Sequence, residues 1–234
     1  SCDPIKQLSE TRQNYDLIVN LSASPFNLRK HEQRIQRGQE ISDLLKAPFV
    51  YVNRVGAEDE IIFDGGSFLL NGEHLVYQAP FFEHASKKLE VPKYKRSNIV
   101  YEVSKDNSWD SLFKASLIMR KNKKPVLTPL SDSDCETILD ALCFSIQDYA
   151  KKCGFDKFTV ALSGGIDSTL VLAIVKKSLK PGQYLEAVYM PGLFSAGMSY
   201  DLSFELCKNL QVPLSSLPIK FSHKTIRNLF QDSF

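Results

Sequence analysis

The fold of this chain is decided by one short stretch, Ser163-Gly164-Gly165-Ile166-Asp167-Ser168. Residues 158–162 (FTVAL) precede it and predict a short buried strand, because they are apolar and rich in β-formers. Residues 169–177 (TLVLAIVKK) follow it and predict a helix with cations in its last turns. The stretch is therefore expected to form a tight loop between a strand and the N-terminus of a helix.

A loop in that position binds anions, because free backbone N–H groups and the helix dipole both favour negative charge. Gly164 and Gly165 lack a Cβ, so a phosphate can approach their backbone closely. Ser163 and Ser168 add hydroxyl donors. Asp167 would repel a phosphate unless it holds a divalent cation that the phosphate oxygens share, so we expect a metal there. The open alternative is an ordinary turn between strand and helix, capped by the Ser and Asp side chains.

The stretch lacks the Lys of a G-x-x-x-x-G-K-[ST] loop. It resembles the S-G-G-x-D-S loop of the N-type ATP pyrophosphatases, which cleave ATP between the α- and β-phosphates and adenylate a substrate oxygen. The resemblance implies Mg²⁺ on Asp167. The residues it implies for ATP binding are Ala161, Leu162, Ser163, Gly164, Gly165, Ile166, Asp167, Ser168 and Met190.

Two of these positions carry an alternative or a departure. Met190 and Pro191 match a Met-Pro pair of that family, and Met is a fitting flat contact for adenine; the alternative for Met190 is plain core. Ala161 stands where the family usually has Gly, and a methyl group is expected to be tolerated at the end of a strand.

The totals limit the class of protein. The chain has 234 residues, which suggests one or two domains, and its 43% hydrophobic and 24% charged residues are ordinary for a globular protein. The net charge of +2 is too small to indicate nucleic-acid binding, and no apolar run approaches the ~20 residues of a membrane span. The five cysteines are odd in number and lack metal-ligand spacing, which favours reduced thiols and a cytoplasmic location.

The first half of the chain alternates strand and helix patterns before it turns to hairpins. Residues 15–22 and 49–55 predict strands, and residues 28–47 between them predict a long helix with Ile35, Ile41, Leu44 and Leu45 as its apolar stripe. Asn71-Gly72 predicts a two-residue hairpin turn. This order suggests a layered α/β sandwich.

Two segments of this half carry a second resemblance. Residues 17–26 (LIVNLSASPF) and 52–67 (VNRVGAEDEIIFDGGS) resemble the second half of the nitrilase-type glutaminase domain of glutamine-dependent NAD synthetases. That family also has an S-G-G-x-D-S domain downstream, so the two halves of the chain support one another. In the family a Glu-Lys-Cys triad hydrolyses glutamine, and the ammonia travels through a tunnel to the synthetase site.

The second resemblance implies that Ser24 and Lys30 contact glutamine. Physically, Lys30 would be a point charge for the substrate carboxylate and Ser24 a hydroxyl partner. The alternatives are a helix N-cap for Ser24 and a solvated helix cation for Lys30. Asp64 has two interpretations as well, a structural acceptor in a turn or part of the glutaminase pocket.

The triad has no candidates in this chain. Cys2 lacks the Glu-Asp that follows the family's nucleophile and lies too close to Asp3-Pro4-Ile5, which matches a D-P-x-x-x-L segment of the family, so we interpret Cys2 as not the nucleophile. The catalytic residues of the glutaminase therefore remain unknown here and are expected before residue 1. We expect the chain to be part of a longer enzyme and unable to complete the reaction alone.

The second half predicts further elements around the loop. Ser133 and Glu136 predict a capping box at the start of a helix that ends before Gly154. Residues 184–191 and 214–219 predict strands, and residues 200–211 and 225–230 predict helices. Between the halves, residues 98–103 predict a strand and residues 109–120 a helix. We expect the domain boundary near residue 125.

The combined interpretation is an α/β protein of two domains. Residues 1–125 are expected to form a nitrilase-like α-β-β-α sandwich portion, and residues 126–234 a doubly wound parallel-sheet portion of the adenine nucleotide alpha hydrolase-like type. The resemblance implies a ligase that uses ATP, Mg²⁺ and glutamine or ammonia to convert deamido-NAD to NAD. It implies small-molecule substrates and a homo-oligomer, without nucleic-acid or membrane partners.

Three alternatives stay open at this point. One is another ATP pyrophosphatase amidotransferase, such as a GMP synthetase relative. Another is a carbon–nitrogen hydrolase fused to a nucleotide-binding module without catalytic activity. The third is a remnant with a scaffold role.

Overall fold

The computed structural model describes residues 4–11, 13–94, 129–192, 195 and 197–231. It separates into two compact units: residues 1–56 and 61–138, and residues 57–60 and 139–234. Cys2, the strand expected at 98–103, the helix expected at 109–120 and the boundary expected near residue 125 lie outside the described residues. Within the described residues, no helix is both long and apolar enough to cross a bilayer.

The first part of the chain forms two helices and six strands among its described residues. Their bounds are α1 (Pro4–Glu10), β1 (Ile18–Ser22), α2 (Lys30–Leu45), β2 (Phe49–Asn53), β3 (Val55–Glu58), β4 (Ile61–Asp64), β5 (Phe68–Asn71) and β6 (His74–Gln78). Strands β1, β2, β5 and β6 form one sheet in that order, with β1 parallel to β2 and the other neighbours antiparallel. Strands β3 and β4 pair separately.

Helix α2 packs on one face of the four-stranded sheet. Gly38 is at the closest approach, because a Cβ there would lie 2.7 Å from Leu70 Cδ1 and 3.0 Å from the Phe49 ring. The predicted helix is confirmed with shorter bounds, but Leu44 is 53% exposed and does not belong to the buried stripe. The core between helix and sheet is formed by Ile41, Leu45, Phe49, Tyr51, Phe68 and Leu70.

The opposite face of this sheet is apolar and only partly covered. Val19 and Leu21 of β1 are 53% and 79% exposed, and their parallel partners in β2 are Val50 and Val52. Leu69 of β5, beside Val50 in register, is buried. Residues 83–87 and Leu89 line a cavity of about 400 Å³ together with parts of β2 and β5.

Two local predictions in this unit are wrong by a few residues. The predicted strand over 49–55 is two strands, because Arg54 changes partner: its N–H donates to Ser22 O and its C=O accepts from Gly65 N–H. The hairpin turn is formed by Gly72 and Glu73, since Asn71 still pairs with His74.

The second unit contains the predicted alternation of strands and helices. Its elements are α3 (Asp132–Cys153, which begins in the first unit), β7 (Lys157–Leu162), α4 (Ile166–Ser178), β8 (Tyr184–Tyr189), α5 (Gly197–Leu210), β9 (Leu214–Ser216) and α6 (Lys220–Gln231). The three strands form a parallel sheet in the order β7-β8-β9. The mixed α/β fold with a parallel sheet is thus confirmed.

One face of the parallel sheet carries the core of this unit. Val160 and Leu162 of β7 pack with Leu172 of α4 and Cys207 of α5, so both crossover helices cover the same face. Two right-handed crossovers that proceed in one direction along a sheet give this arrangement. The reversal of strand order that makes a sheet doubly wound does not occur among the described strands, and that finer expectation stays a prediction.

Helix α3 begins with a capping box that lies two residues before the predicted one. Asp134 N–H donates to Ser131 Oγ over 3.1 Å, and Ser131 N–H donates to Asp134 Oδ2 over 3.2 Å. The box is therefore Ser131–Asp134 and not Ser133–Glu136, because the Asp carboxylate reaches back as Glu does in the usual motif.

Candidate functional site

The stretch 163–168 lies where the sequence places it. Strand β7 ends at Leu162, and α4 begins at Ile166 with Gly165 as its N-cap in an extended conformation. Gly165 has no side chain to cap the helix, so backbone N–H groups in the first turn of α4 lack the side-chain acceptor that an N-cap residue usually provides. The strand–loop–helix prediction is confirmed, and an anion would find the geometry described for helix N-termini.

Hydroxyl groups of the loop hold its backbone in place. Ser168 Oγ donates to Gly165 O over 3.1 Å and accepts from Ser163 N–H over 3.2 Å. Ser163 Oγ lies 3.1 Å from Ser168 Oγ and accepts from Gly165 N–H over 3.3 Å. The two serines thus organise the loop from inside, and the Gly165 N–H expected to meet a phosphate has an intramolecular acceptor here.

Gly164 meets two independent steric demands. Its φ is +76°, in the region that favours glycine, and a Cβ would lie 2.7 Å from Ser199 O and 2.8 Å from Ser199 Cα at the start of α5. Gly165 has φ −86°, and a Cβ there would meet only Ser163 Oγ at 3.3 Å. Gly164 is therefore required by the fold itself, whereas Gly165 leaves room beside the loop.

The loop is open to solvent, as a phosphate site must be. Ser163, Gly165, Ile166 and Asp167 are exposed, and Gly164 is half-buried. Asp167 lies in the first turn of α4. Among the described residues, no three His, Cys, Asp or Glu side chains cluster as a metal site would require. One carboxylate completed by substrate phosphates is a donor set that Mg²⁺ accepts, so Asp167 fits that ion only together with a nucleotide.

The other residues expected to bind the nucleotide lie at the same edge of the sheet. Leu162 pairs with Tyr189 in register, which places Ser163 and Met190 side by side just past the strand ends. Met190 is 39% exposed and Ala161 is exposed, so both side chains are accessible. Leu162 is in the core, so a ligand could reach only its backbone.

Ser24 and Lys30 come together around one turn of the first unit. Lys30 Nζ donates to Pro25 O over 3.3 Å, and Ser24 Oγ accepts from Arg34 Nη2 over 3.2 Å. Ser24 lies two residues beyond the end of β1, while Lys30 is the first residue of α2. Ser24 is not the N-cap of α2, because that position is Arg29.

A buried polar cluster lies beside this turn; the sequence singled out Asp64 alone and did not predict that it joins Arg34 and Asn53. Arg34 and Asp64 form an ion pair of 2.7 Å whose side chains are only 6% and 4% exposed. Asn53 Nδ2 donates to Asp64 Oδ1 over 3.1 Å and to Gly65 O over 3.1 Å. The available signals were weak: Arg34 lies one turn after Lys30, and Asn53 and Asp64 each end a strand.

The cluster gives the turn a local excess of positive charge. Burial lowers the pKa of Lys30, the nearby Arg34 lowers it further, and Asp64 opposes them. Two cations against one carboxylate leave a charge of +1 beside Ser24 if all three are ionised. An anionic group such as an amino-acid carboxylate would balance it.

Comparison with known proteins finds similarity to NAD synthetases along most of the chain. Residues 138–234 match the NAD synthase family model. The chain is 34% identical to the glutamine-dependent NAD(+) synthetase of Synechocystis sp. over 88% of its own length and 33% of that protein. It is 30% identical to the enzyme of the same name from Acinetobacter baylyi over 91% of this chain and 34% of that protein.

The fold agrees as well. A structure of glutamine-dependent NAD+ synthetase from Acinetobacter baumannii, in complex with ADP, has a TM-score of 0.68 and 28% identity, and covers 98% of this chain and 39% of that chain. A crystal structure of a glutamine-dependent NAD(+) synthetase from Cytophaga hutchinsonii, 16% identical with a TM-score of 0.65, supports the fold alone and covers 96% of this chain and 39% of that chain. The chain therefore spans about a third of the length of the curated relatives.

Proposed function

Because nearly the whole chain is related to the glutamine-dependent NAD(+) synthetases, we propose that it belongs to an enzyme with that activity. The reaction is ATP-dependent amidation of nicotinic acid adenine dinucleotide to NAD through an adenylate. Glutamine hydrolysis supplies the ammonia, and AMP and pyrophosphate leave. The exposed S-G-G-I-D-S loop at the junction of β7 and α4, within the segment that matches the NAD synthase model, is the observation that carries this proposal.

The loop residues have separate tasks in this proposal. Backbone N–H groups of the Gly164–Gly165 segment bind phosphate oxygens, and an entering oxygen replaces Ser163 Oγ as the acceptor from Gly165 N–H. Asp167 would hold Mg²⁺ jointly with the phosphates, and the ion when bound would neutralise their charge. Ser163 and Ser168 keep the loop in its binding shape, while Met190 offers its exposed side chain to the adenine.

In the first unit we propose a glutaminase of the nitrilase type. Ser24 and Lys30 bind glutamine, which a Glu-Lys-Cys triad hydrolyses. The exposed apolar face of the β1-β2-β5-β6 sheet supports a four-layer sandwich, because a second sheet would bury Val19 and Leu21. The proposed domains are residues 1–125 and 126–234, the second of the doubly wound type.

The remaining expectations follow from the same proposal. The partners are small molecules, namely ATP, deamido-NAD and glutamine or ammonia, and the enzyme is a homo-oligomer in the cytoplasm. The four described cysteines are free thiols, which supports a reducing compartment.

The test is an assay of the full-length protein for NAD formation from deamido-NAD, with glutamine and separately with ammonium. We expect ATP-dependent NAD with both nitrogen sources. Asp167→Asn should lower both rates by about tenfold or more, because phosphate charge is then left without its metal. The matched control is Asp156→Asn, an exposed carboxylate just before the opposite end of β7. Absence of NAD from either nitrogen source, or full activity of the Asp167 variant, would contradict the proposal.

A further inference from the structure

The turn at Ser24 and Pro25 is held by the side chains of Arg34 and Asn53, which belong to different elements. Arg34 Nη2 donates to Ser24 O over 3.0 Å, to Ser24 Oγ over 3.2 Å and to Pro25 O over 3.1 Å. Asn53 closes the other side: its Oδ1 accepts from Ser24 N–H over 2.9 Å, and its Nδ2 donates to Ser24 O over 3.3 Å. The backbone and side chain of Ser24 thus have all their described partners in Arg34 and Asn53.

Asp64 fixes the two residues that hold the turn. Its Oδ2 accepts from Arg34 Nη1 over 2.7 Å, and its Oδ1 accepts from Asn53 Nδ2 over 3.1 Å. All three side chains belong to buried residues, so solvent does not compete for these hydrogen bonds. The carboxylate therefore sets the orientation of both the guanidinium and the amide at once.

A lysine could not replace the guanidinium in this arrangement. One edge of the Arg34 fork binds the carboxylate while the Nη2 group reaches three oxygen atoms of the turn. A lysine carries a point charge on a flexible stem and lacks the planar fork. The substitution keeps the charge and removes the geometry, which makes it informative.

We propose that Arg34, oriented by Asp64 and Asn53, is a positioning residue for glutamine: it fixes the Ser24–Pro25 turn so that Ser24 and Lys30 present a hydroxyl and a cation to the same substrate. This inference rests on the proposed glutaminase function. Lys30 Nζ is bound to Pro25 O, so the same turn also sets where that ammonium lies. Arg34 acts through Ser24 and Lys30 and is not itself assigned a contact with glutamine.

The experiment compares Arg34→Lys with Arg37→Lys in the full-length protein. Arg37 is on the same helix, is exposed and pairs with Glu40 over 2.8 Å, so it is a matched control for the same exchange. We expect Arg34→Lys to raise the KM for glutamine about tenfold or more, the loss typical of charge-assisted hydrogen bonds, with a smaller effect on kcat. The rate of NAD formation with ammonium should change less than about twofold. Arg37→Lys should change neither.

A double-mutant cycle with Ser24→Ala tests whether Arg34 acts through the turn. If it does, the glutamine kcat/KM of the double variant lies within about threefold of the worse single variant, because coupled residues do not add. Effects that multiply would overturn the inference, as would an unchanged glutamine KM or a parallel loss of ammonium-dependent activity.

Glutamate release from glutamine, measured without deamido-NAD, separates the two proposals. A protein that hydrolyses glutamine but makes no NAD refutes the synthetase assignment alone, and one that neither binds nor hydrolyses glutamine refutes this inference as well.

Discussion

Gly164 shows at the scale of one residue how the loop depends on its backbone. We predict that Gly164→Ala destabilises the second unit by more than about 1–2 kcal/mol, the cost of a left-handed conformation alone, because the new Cβ would also collide with Ser199. The ATP-dependent activity proposed above should fall with it, since the loop and the start of α5 must move apart. Denaturant unfolding monitored by circular dichroism measures the change.

Gly182→Ala is the control for Gly164→Ala. Its φ is +87°, but a Cβ there would meet nothing within 4 Å, so it isolates backbone strain from the collision. Its cost should stay at about 1–2 kcal/mol without loss of activity. Equal costs at the two glycines would show that the contact with Ser199 relaxes freely.

The sequence allowed some of these residues to be predicted and others not. The six residues of the loop are contiguous, so their position between strand and helix follows from local pattern. Arg34, Asn53 and Asp64 are far apart in sequence, and each is of a residue type that is usually exposed. Only the tertiary fold brings their side chains together, so neither spacing nor periodicity could reveal the cluster.

At the scale of one element, we expect the contribution of the α3 N-terminus to the stability of the fold to depend on pH. The pKa of Asp134 falls from 3.8 to about 2, first because Arg29 donates a hydrogen bond to the carboxylate and then because Ser131 does so. A carboxyl group with a depressed pKa in the folded state stabilises the fold above about pH 4, and that contribution is lost as the pH falls to about 2. We predict that Asp134→Asn lowers the unfolding midpoint at pH 7 and that its difference from the wild type shrinks between pH 4 and 2.

The control for Asp134→Asn is Asp132→Asn in the same first turn of α3. Asp132 shares the favourable helix dipole but is exposed, so its replacement should have a smaller effect. Urea unfolding at several pH values measures both variants. A difference between Asp134→Asn and the wild type that stays constant from pH 7 to 2 would rule out the linkage.

The elements were predicted in type but not in their bounds. The apolar pattern identified α2, α3 and α4 as amphipathic helices and β7 as a short apolar run rich in β-formers. It failed at Arg54, where the chain exchanges one strand partner for another, and at Leu44, which periodicity alone could not distinguish from its buried neighbours. The capping box of α3 was predicted two residues too late, because Asp134 stands where the usual motif has Glu.

At the scale of the whole molecule, each unit has its own core. Leu70 is fully buried in the first unit and Leu172 in the second, so either change to Ala should destabilise its unit by about 2–5 kcal/mol. We predict that Leu70→Ala impairs glutamine-dependent NAD formation more than ammonium-dependent formation on heating, whereas Leu172→Ala impairs both. Activity with the two nitrogen sources after incubation at rising temperature is the measurement.

Leu44→Ala serves as the control, because Leu44 lies on α2 but is half exposed. It should leave both activities close to the wild type at every temperature. An identical loss of both activities in Leu70→Ala would mean that the first core also supports the synthetase reaction.

The class of the whole molecule could be inferred from sequence, whereas the extent of its sheets could not. The loop motif and the strand–helix order pointed to a mixed α/β fold with a parallel sheet, and the structure has one. Whether a sheet face is buried depends on packing against residues that are far away in the sequence. No local pattern of β1 therefore indicates that Leu21 is 79% exposed.

The close contact of α2 with its sheet has a consequence for protein engineering. Gly38 lies one helical turn after Arg34 on the same face of the helix, so the packing at position 38 and the reach of the guanidinium depend on the same separation of helix and sheet. A larger residue would require the Leu70 side chain or the helix to shift, and a shift of the helix would move the fork relative to the Ser24 turn. A library that seeks altered substrate preference should therefore keep position 38 constant and vary the solvent side of the helix.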